Sequence, residues 1–431
     1  MLRSKPFTLL SLLFSLNTSA QTRVVLDDIT HFWDAYDRVT ATKDTAEQRR
    51  LLHTYFIQRA TAGQKAMFEA RRYTPDEYLQ AIRSYPRYYA SIRPNMLRAS
   101  EHAEAMRAGA ERLRKIHPTM RPADIHFTVG VFRSGGTVMN GMVLIGSEIS
   151  LADSTTDTSE FPPELTHLGT FFATNPAREL AFTNVHELIH TQQPARWGYD
   201  LLSQSLFEGI AEFIPTLAME RPSPSGSVIY GEAHADTVRK VFEQELFAYW
   251  IDRWIWNDLS GPFPQRDLGY YVGYAMARSY YERSTDKRRA IADLIGLNCE
   301  DRAAVEAFAD GCGYLSRPVA ELRAAFEAQR PRVIGLEGFN NGSTDVDPAR
   351  NTITVLFDRP MHTGFRSLGL GELGKDHLPE IMDQAFAHDG RSITYTVKLE
   401  AGKRYQMVLE EGFRDPRLFQ MVPYTVDFAT R

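Results

Sequence analysis

Two cysteines in 431 residues cannot build a disulfide framework. Cys299 and Cys312 also lack the further ligands that would make a zinc site of that pair. In an oxidising compartment they could close one small loop, worth roughly 3 kcal/mol by chain entropy. As reduced thiols they would only be buried, and the spacing favours neither state. A charge excess of either sign is missing too: 49 Lys and Arg stand against 54 Asp and Glu, a net charge of -5. That excludes the basic surplus expected of a dedicated nucleic-acid binder. After the first twenty residues no apolar run approaches the roughly 18–20 residues that span a bilayer. Internal repeats and low-complexity tracts are absent. The remainder is ordinary globular material, 43% hydrophobic and 24% charged, and at roughly 100–200 residues per domain it implies two or three domains.

The first twenty residues differ from the rest. Arg3 and Lys5 give a positive start, Phe7 to Leu16 is a short apolar run, and Asn17-Thr-Ser-Ala20 ends in small residues before the polar Gln21. The pattern is that of a secretory signal peptide cleaved after about Ala20, so the mature chain is expected to be exported, to a periplasm or to the outside of the cell. The apolar run is too short to remain as a membrane span.

Residues 28 to about 120 read as helical, with Phe32, Tyr36 and Val39 on one helical face and Thr74-Pro75-Asp76-Glu77 as a helix start. A long helix is expected from Pro94 to Ile116. Two β-branched runs follow, Ile125–Phe132 and Met142–Ile149, joined through Ser134-Gly135-Gly136. Helical patterns return from Pro176 to about Arg330. Beyond Gln329-Arg-Pro-Arg-Val333 the chain alternates with period two through Thr352–Asp358, Ser392–Leu399, Arg404–Leu409 and Tyr424–Phe428, between turns such as Asp389-Gly390. The reading is therefore a mainly α domain with a small sheet before its central helix, over residues 21–330, followed by an all-β sandwich over 331–431.

Chemistry enters at His186-Glu187-Leu-Ile-His190. On a helix the two histidines are about 40° apart and one turn from each other, so both imidazoles can reach one ion. Glu187, about 60° from His190, can meet a water on that ion without being a ligand. Asn175-Pro176 reads as the helix start and Pro194 as its stop. Such a site needs a third protein ligand and an open fourth position. Glu208 and Glu212 share a face at i,i+4, and a loop holding Pro194, Gly198 and Asp200 lets their helix return antiparallel to the first. Glu208 is then the third ligand and Glu212 the acceptor for a ligand histidine's second ring nitrogen. A purely local alternative stays open for Glu208, since Ser205-x-x-Glu208 also has capping-box spacing.

An HExxH motif followed after 17 residues by Glu-Gly-x-Ala-Glu resembles the gluzincin metallopeptidases. It is most similar to the branch with membrane-alanyl aminopeptidases and leukotriene A4 hydrolase. The resemblance implies zinc held by His186, His190 and Glu208, with Glu187 as general base and Glu212 orienting a histidine. It also implies that Tyr270, in the Tyr-x-x-Gly273 motif, donates to the oxyanion, with Tyr271 and Tyr274 as rivals. The chain departs from that branch in having Phe207 where Asn stands, a spacing one residue shorter, and Val138–Ile145 where the strand that recognises a free amino terminus lies. Residues 28 to about 328 also resemble predicted secreted zinc proteases related to the gliding-motility protein GldB. The C-terminal part, through Asn341–Pro348, Val355–Met361 and Leu399-x-x-Gly402-x-x-Tyr405, resembles bacterial Ig-like domains of the S-layer type, with Tyr405 as a candidate tyrosine corner.

The function expected is hydrolysis of peptide bonds by a secreted zinc metallopeptidase acting on peptide or protein, with Zn2+ as cofactor, no nucleic-acid partner, and an Ig-like domain able to contact the envelope or cell surface. The alternative is a non-catalytic envelope or export-associated binding protein that retains the fold. Met142–Ile149 is further expected to be the exposed edge strand beside bound peptide, with Glu148 meeting a substrate amine.

Overall fold

The computed structural model describes residues 22–194, 197–257 and 261–431. The expected leader, Met1–Ala20, lies outside the described residues. The chain divides into two compact units. The first takes the described residues up to Pro194 with Ala211–Pro224 and Asp286–Gly296, and the second takes the described residues of Ala195–Ile210 with Ser225–Thr285 and Leu297–Arg431. No helix among the described residues is long and apolar enough to cross a membrane.

The first unit begins with helices from Asp27–Thr40 to Ser100–Ile116. Their core is aromatic: Phe32, Phe56, Tyr78 and Tyr89 are fully buried and meet mostly edge-on or tilted, for example Phe32 and Phe56 at 5.5 Å. The helix start at Thr74-Pro75 forms as read, and Glu77 completes a capping box there, with the Thr74 N–H donating to Glu77 Oε2 at 2.8 Å. Pro94 does not open the long helix. It sits inside Pro86–Leu97, and the following helix starts at Ser100. There it forgoes the backbone hydrogen bond to the residue four before it, a cost that the start of a helix avoids.

A four-stranded sheet follows: β1 (Val24–Val25), β2 (Ile125–Thr128), β3 (Gly136–Met139) and β4 (Met142–Gly146), in the order β1-β2-β4-β3. β1 and β4 flank β2 in parallel, and β3 closes an antiparallel hairpin onto β4. The edge-strand expectation for Met142–Ile149 is thereby corrected. β4 has a neighbour on each side, and the edge is β3. The reason is legible in β4 itself, whose Val143, Leu144 and Ile145 are all fully buried. An uninterrupted apolar run suits a central strand with both faces covered.

The HExxH motif lies in the helix Leu180–Gln192 of this unit. Asn175 is not its cap. Its backbone is left-handed (φ 58) and its side chain accepts the Ser154 N–H, while Pro176–Glu179 forms a 3-10 turn leading in. The helix stops at Gln193, before Pro194.

The helix Leu201–Met219 carries Glu208 and Glu212. Its start is fixed by Asp200 and Ser203, each donating its backbone N–H to the other's side chain at 2.9 Å. The local reading of Ser205 and Glu208 as a cap therefore falls, because both are already inside the helix. Within the second unit this helix meets Leu268–Arg283 at a glycine pair. A methyl on Gly209 would overlap the backbone of Gly273, and one on Gly273 would overlap the Ser205 carbonyl. Glycine costs about 1 kcal/mol in a helix interior, so two of them at one crossing serve close approach.

The change from helix to strand comes after Val319–Gln329, so a helical part precedes a β part. β5 (Val333–Leu336), β6 (Thr352–Phe357), β9 (Ser392–Lys398) and β8 (Glu380–Phe386) form one sheet in the order β5-β6-β9-β8. β7 (Leu368–Leu370), β10 (Arg404–Leu409) and β11 (Tyr424–Ala429) form a second, ordered β11-β10-β7. Alternate residues of the two, such as Ile353, Val355, Tyr395, Met407 and Val426, share one buried core. The Tyr405 hydroxyl accepts the backbone N–H of Glu400 at 2.7 Å, which is the bond a tyrosine corner makes. These strands are tied to the helices of the same unit: Arg330 donates to Glu411 at 2.7 Å and to the Met421 carbonyl at 2.8 Å, and Phe326 packs on Phe419. Cys299 and Cys312 are separate, buried thiols with no disulfide.

Gly273→Ala tests the helix crossing. An exposed helical Gly→Ala change would raise stability by nearly 1 kcal/mol. Here the methyl meets backbone, and a loss of about 1–3 kcal/mol is expected in urea unfolding. A stabilised variant would show that the helices do not meet at this point.

Candidate metal centre

The centre starts from a tautomer. His186 Nδ1 lies 3.2 Å from Glu212 Oε2. A carboxylate only accepts, so Nδ1 carries the proton and Nε2 presents a lone pair. His190 is arranged alike, with Nδ1 2.7 Å from Gln193 Oε1. The two Nε2 atoms face each other at 3.0 Å. Two lone pairs directed at one point repel unless a cation accepts both, and imidazole nitrogens with their second nitrogen bonded to a carboxylate or amide oxygen are typical zinc ligands. Glu212 is itself braced by the Ser223 hydroxyl, which donates a hydrogen bond to its Oε1.

Glu208 lies one turn before Glu212 on the same helix. His186, His190 and Glu208 can each offer one ligand atom, all within 4.8 Å of one another, and they are the one such group among the described residues. His186 and Glu208 are buried, 8% and 5% exposed, and His190 is half-buried, which limits the competition of bulk water for the donors. Gln204 donates to Glu208 Oε1 at 3.2 Å and accepts from the Gly198 N–H at 2.8 Å, which orients the carboxylate. Two nitrogens and one carboxylate oxygen fit a zinc site with room for a fourth ligand. This buried His-His-Glu triad could hold a metal ion.

Glu187 is buried and rests against β3. A Cβ placed on Gly136 would fall 2.6 Å from Glu187 Oε1 and 3.1 Å from its Cδ. Tyr270 is in the first turn of Leu268–Arg283, half-buried, with its hydroxyl accepting the Trp256 indole N–H at 3.2 Å. Its rivals Tyr271 and Tyr274 are buried as core aromatics. Tyr270 is one turn before Gly273, the residue seated on Gly209, so its helix is fixed against the one that carries Glu208. Burial pushes the neighbouring Asp267 carboxyl up, and the charge of Glu208 adds to that.

Glu148 does not face an open edge. It is fully buried and accepts the backbone N–H of Gly130 at 2.9 Å and of Phe132 at 3.3 Å. Its expected contact with a substrate amine is therefore replaced by an internal one. The sequence did not single out Gln193, Gln204 or Ser223, and it marked Gly136 only as part of a glycine-rich join between strands. Gln193 and Gln204 sit at i+3 and i−4 from His190 and Glu208, a spacing that could have marked them. Ser223 carries no local signal, and the glycine run at Gly136 does not name Glu187 as the group it makes room for.

No protein-family model matches this chain, and no curated protein does. Among solved structures, the S-layer protein rSbsC(31-844) aligns with 94% of this chain and 45% of its own length at 12% identity and a TM-score of 0.19. The N-terminal part of the bacterial S-layer protein SbsC aligns with 94% of this chain and 77% of its own, at 14% identity and 0.19. The catalytic module of the metalloprotease ZmpA from Clostridium perfringens aligns with 81% of this chain and 65% of its own, at 10% identity and 0.17. Similarities of this size carry no argument about fold or activity.

Two outcomes test these placements. Zinc-loaded protein dialysed against buffer should keep about one ion per chain by mass spectrometry, His186→Ala should keep none, and Glu212→Ala should bind roughly 10–100-fold more weakly. Equal zinc in wild type and His186→Ala would refute the site. Separately, burial raises the Glu148 carboxyl to about 7. A carboxyl raised on folding contributes stability that is fully present below its ordinary pKa of 4.5 and lost as pH rises through about 7. The loss is about 3 kcal/mol at roughly 1.4 kcal/mol per unit. Unfolding free energies at pH 5 and 8 should converge in Glu148→Gln, and an unchanged difference would mean Glu148 is not the group responsible.

Proposed function

We propose that the chain is a zinc-dependent peptidase of gluzincin type, exported and acting on peptide or protein. The observation that carries this reading is the pair of histidine Nε2 lone pairs aimed at one point beside Glu208, with the Glu187 carboxylate next to them in sequence but not among the three. Zinc bound there supplies Lewis acidity, polarising a carbonyl and making a water easier to deprotonate. Glu187 is then the general base, taking the water's proton on its carboxylate and passing it to the departing amine nitrogen. Tyr270 turns its phenol from the Trp256 indole to the carbonyl oxygen as that atom gains charge. Gln204, Glu212 and Gln193 hold ligand side chains in place and touch no reacting atom.

The same reading assigns residues 21–330 to the peptidase part and 331–431 to an Ig-like domain that contacts envelope or cell-surface components. The abrupt change of element type after Gln329 and the buried bond of Tyr405 support it. Removal of Met1–Ala20 belongs to the reading as well.

Glu187→Gln separates catalysis from metal holding. The variant should keep its zinc and lose hydrolysis of a fluorescence-quenched peptide library by about 10²–10⁴-fold, the usual worth of a general base. A variant that cuts at the wild-type rate would remove Glu187 from the mechanism. A wild-type protein that binds zinc and cuts no peptide would favour the non-catalytic binding protein.

A further inference from the structure

The segment between β2 and β3 has no secondary structure, yet side chains hold its backbone along nearly its whole length. The Val129 N–H donates to Gln64 Oε1 at 2.8 Å, and its carbonyl accepts from Gln64 Nε2 at 2.9 Å and from the Tyr78 hydroxyl at 2.7 Å. Gly130 and Phe132 donate to Glu148, which holds Phe132 in a left-handed conformation (φ 60). The Arg133 N–H donates to the Tyr73 hydroxyl at 3.2 Å. The Gly135 carbonyl accepts from the Gly146 N–H at 2.9 Å and the Ser150 hydroxyl at 2.6 Å. Last, Arg71 Nη2 donates to Ser134 Oγ at 2.9 Å, and that hydroxyl donates to the Gly136 carbonyl at 2.6 Å.

An irregular segment buried without such partners would leave orphaned peptide groups, so some fixing is obligatory. The last step exceeds that need. β3 is an edge strand, and its own pairing to β4 already starts at Gly136, opposite Ile145. The Arg71–Ser134 bond therefore fixes a peptide group that the sheet has already begun to hold. It is also the peptide against which the Glu187 carboxylate rests, with no side chain between them. Ser134 is buried, and Arg71 reaches it from the helix Ala62–Arg71, far from the HExxH motif in sequence.

We propose that Arg71 and Ser134 are positioning residues for Glu187: they fix the Gly136 peptide, and that peptide is the wall that sets where the Glu187 carboxylate stands. The proposal rests on the reading of Glu187 as general base. Gly136 is glycine because a methyl would occupy the place of that carboxylate. The atom displaced would be the far end of a flexible side chain, so Gly136→Ala should leave the fold intact and move the base. The helical N-terminal part then has a stated task, which is to supply Gln64, Arg71, Tyr73 and Tyr78 to the strap that ends at the base. A proton-accepting group misplaced by about 1 Å loses on the order of 100-fold in rate.

The test uses the full zinc-loaded chain, the quenched peptide library, zinc analysis, and backbone hydrogen exchange of residues 136–139. Ser134→Ala is expected to lower kcat at least about tenfold with KM and zinc content unchanged, and to speed exchange of those amides by about tenfold. Ser134→Thr, which keeps the hydroxyl, should restore both. Gly136→Ala should lower kcat with exchange and melting temperature near wild type. Faster exchange in Ser134→Ala with normal kcat would overturn the proposal, leaving the hydroxyl a stabiliser only. Lower kcat with unchanged exchange would overturn it too, since the effect would not pass through the strand. If zinc-loaded wild type cuts nothing, the function reading fails while the strap is judged on exchange alone, where an unchanged rate in Ser134→Ala refutes it.

Discussion

One hydrogen bond organises the candidate metal centre: His186 Nδ1 to Glu212 Oε2. Because a carboxylate can only accept, the bond fixes which nitrogen bears the proton and turns the other into a donor of electrons. It also sets the rotation of the helix Leu201–Met219 about its own axis. Once Glu212 is at the imidazole, Glu208 one turn earlier must lie on the same face. A tautomer and a helical repeat thus set which acid could serve as a third ligand. The Ser223 hydroxyl, bonded to the second oxygen of Glu212, keeps that carboxylate from rotating out of the plane the imidazole needs.

Three glycines do a complementary task by leaving space. Gly136 makes room for the Glu187 carboxylate, and Gly209 and Gly273 let two helix backbones meet. The Glu-Gly pair of the second motif is therefore one structural statement: the acid is aimed at the histidines, and the next residue is bare so that the helix bearing Tyr270 can lie alongside. The Tyr-x-x-Gly spacing says the same from the opposite helix. Residues that never touch a substrate are in this way built into the same short motifs as those proposed to touch it.

The parts of the site legible in the sequence are those governed by helical geometry. His186, Glu187 and His190 are related by fixed angles along one helix, and Glu208 and Glu212 by one turn of another, so spacing alone relates them. The alternation of Ile353, Val355 and Phe357, or of Ile393, Tyr395 and Val397, likewise announces strands with one buried face. What depends on pairing between distant segments was hidden. β4 reads as an edge only if β3 is overlooked: Gly136-Thr-Val-Met139 is short, and the Asn140-Gly141 turn that joins it to β4, both residues at positive φ, was the signal that could have found it. Glu148 looked available because a charged residue after a strand is normally solvated. Its burial follows from two backbone amides, of Gly130 and Phe132, that composition cannot reveal. Asn175 and Pro94 failed for another reason: each fits a helix boundary locally, and the tertiary structure used it otherwise, Asn175 as an acceptor for Ser154 and Pro94 inside a helix.

The parallel pairing of β1 with β2 joins Val24 to Ile125, residues about a hundred apart in the chain. Nothing local can form that contact, so its loop-closure entropy falls on one late event rather than on a hairpin. During synthesis the first strand waits while six helical segments are made, and it can seat only when β2 has emerged. The sheet on which Glu187 leans is then completed from its far side by the earliest part of the chain. All four strands precede Leu180 in the chain, so during synthesis the sheet can be whole, with β3 in place, before the HExxH helix that leans on it has emerged.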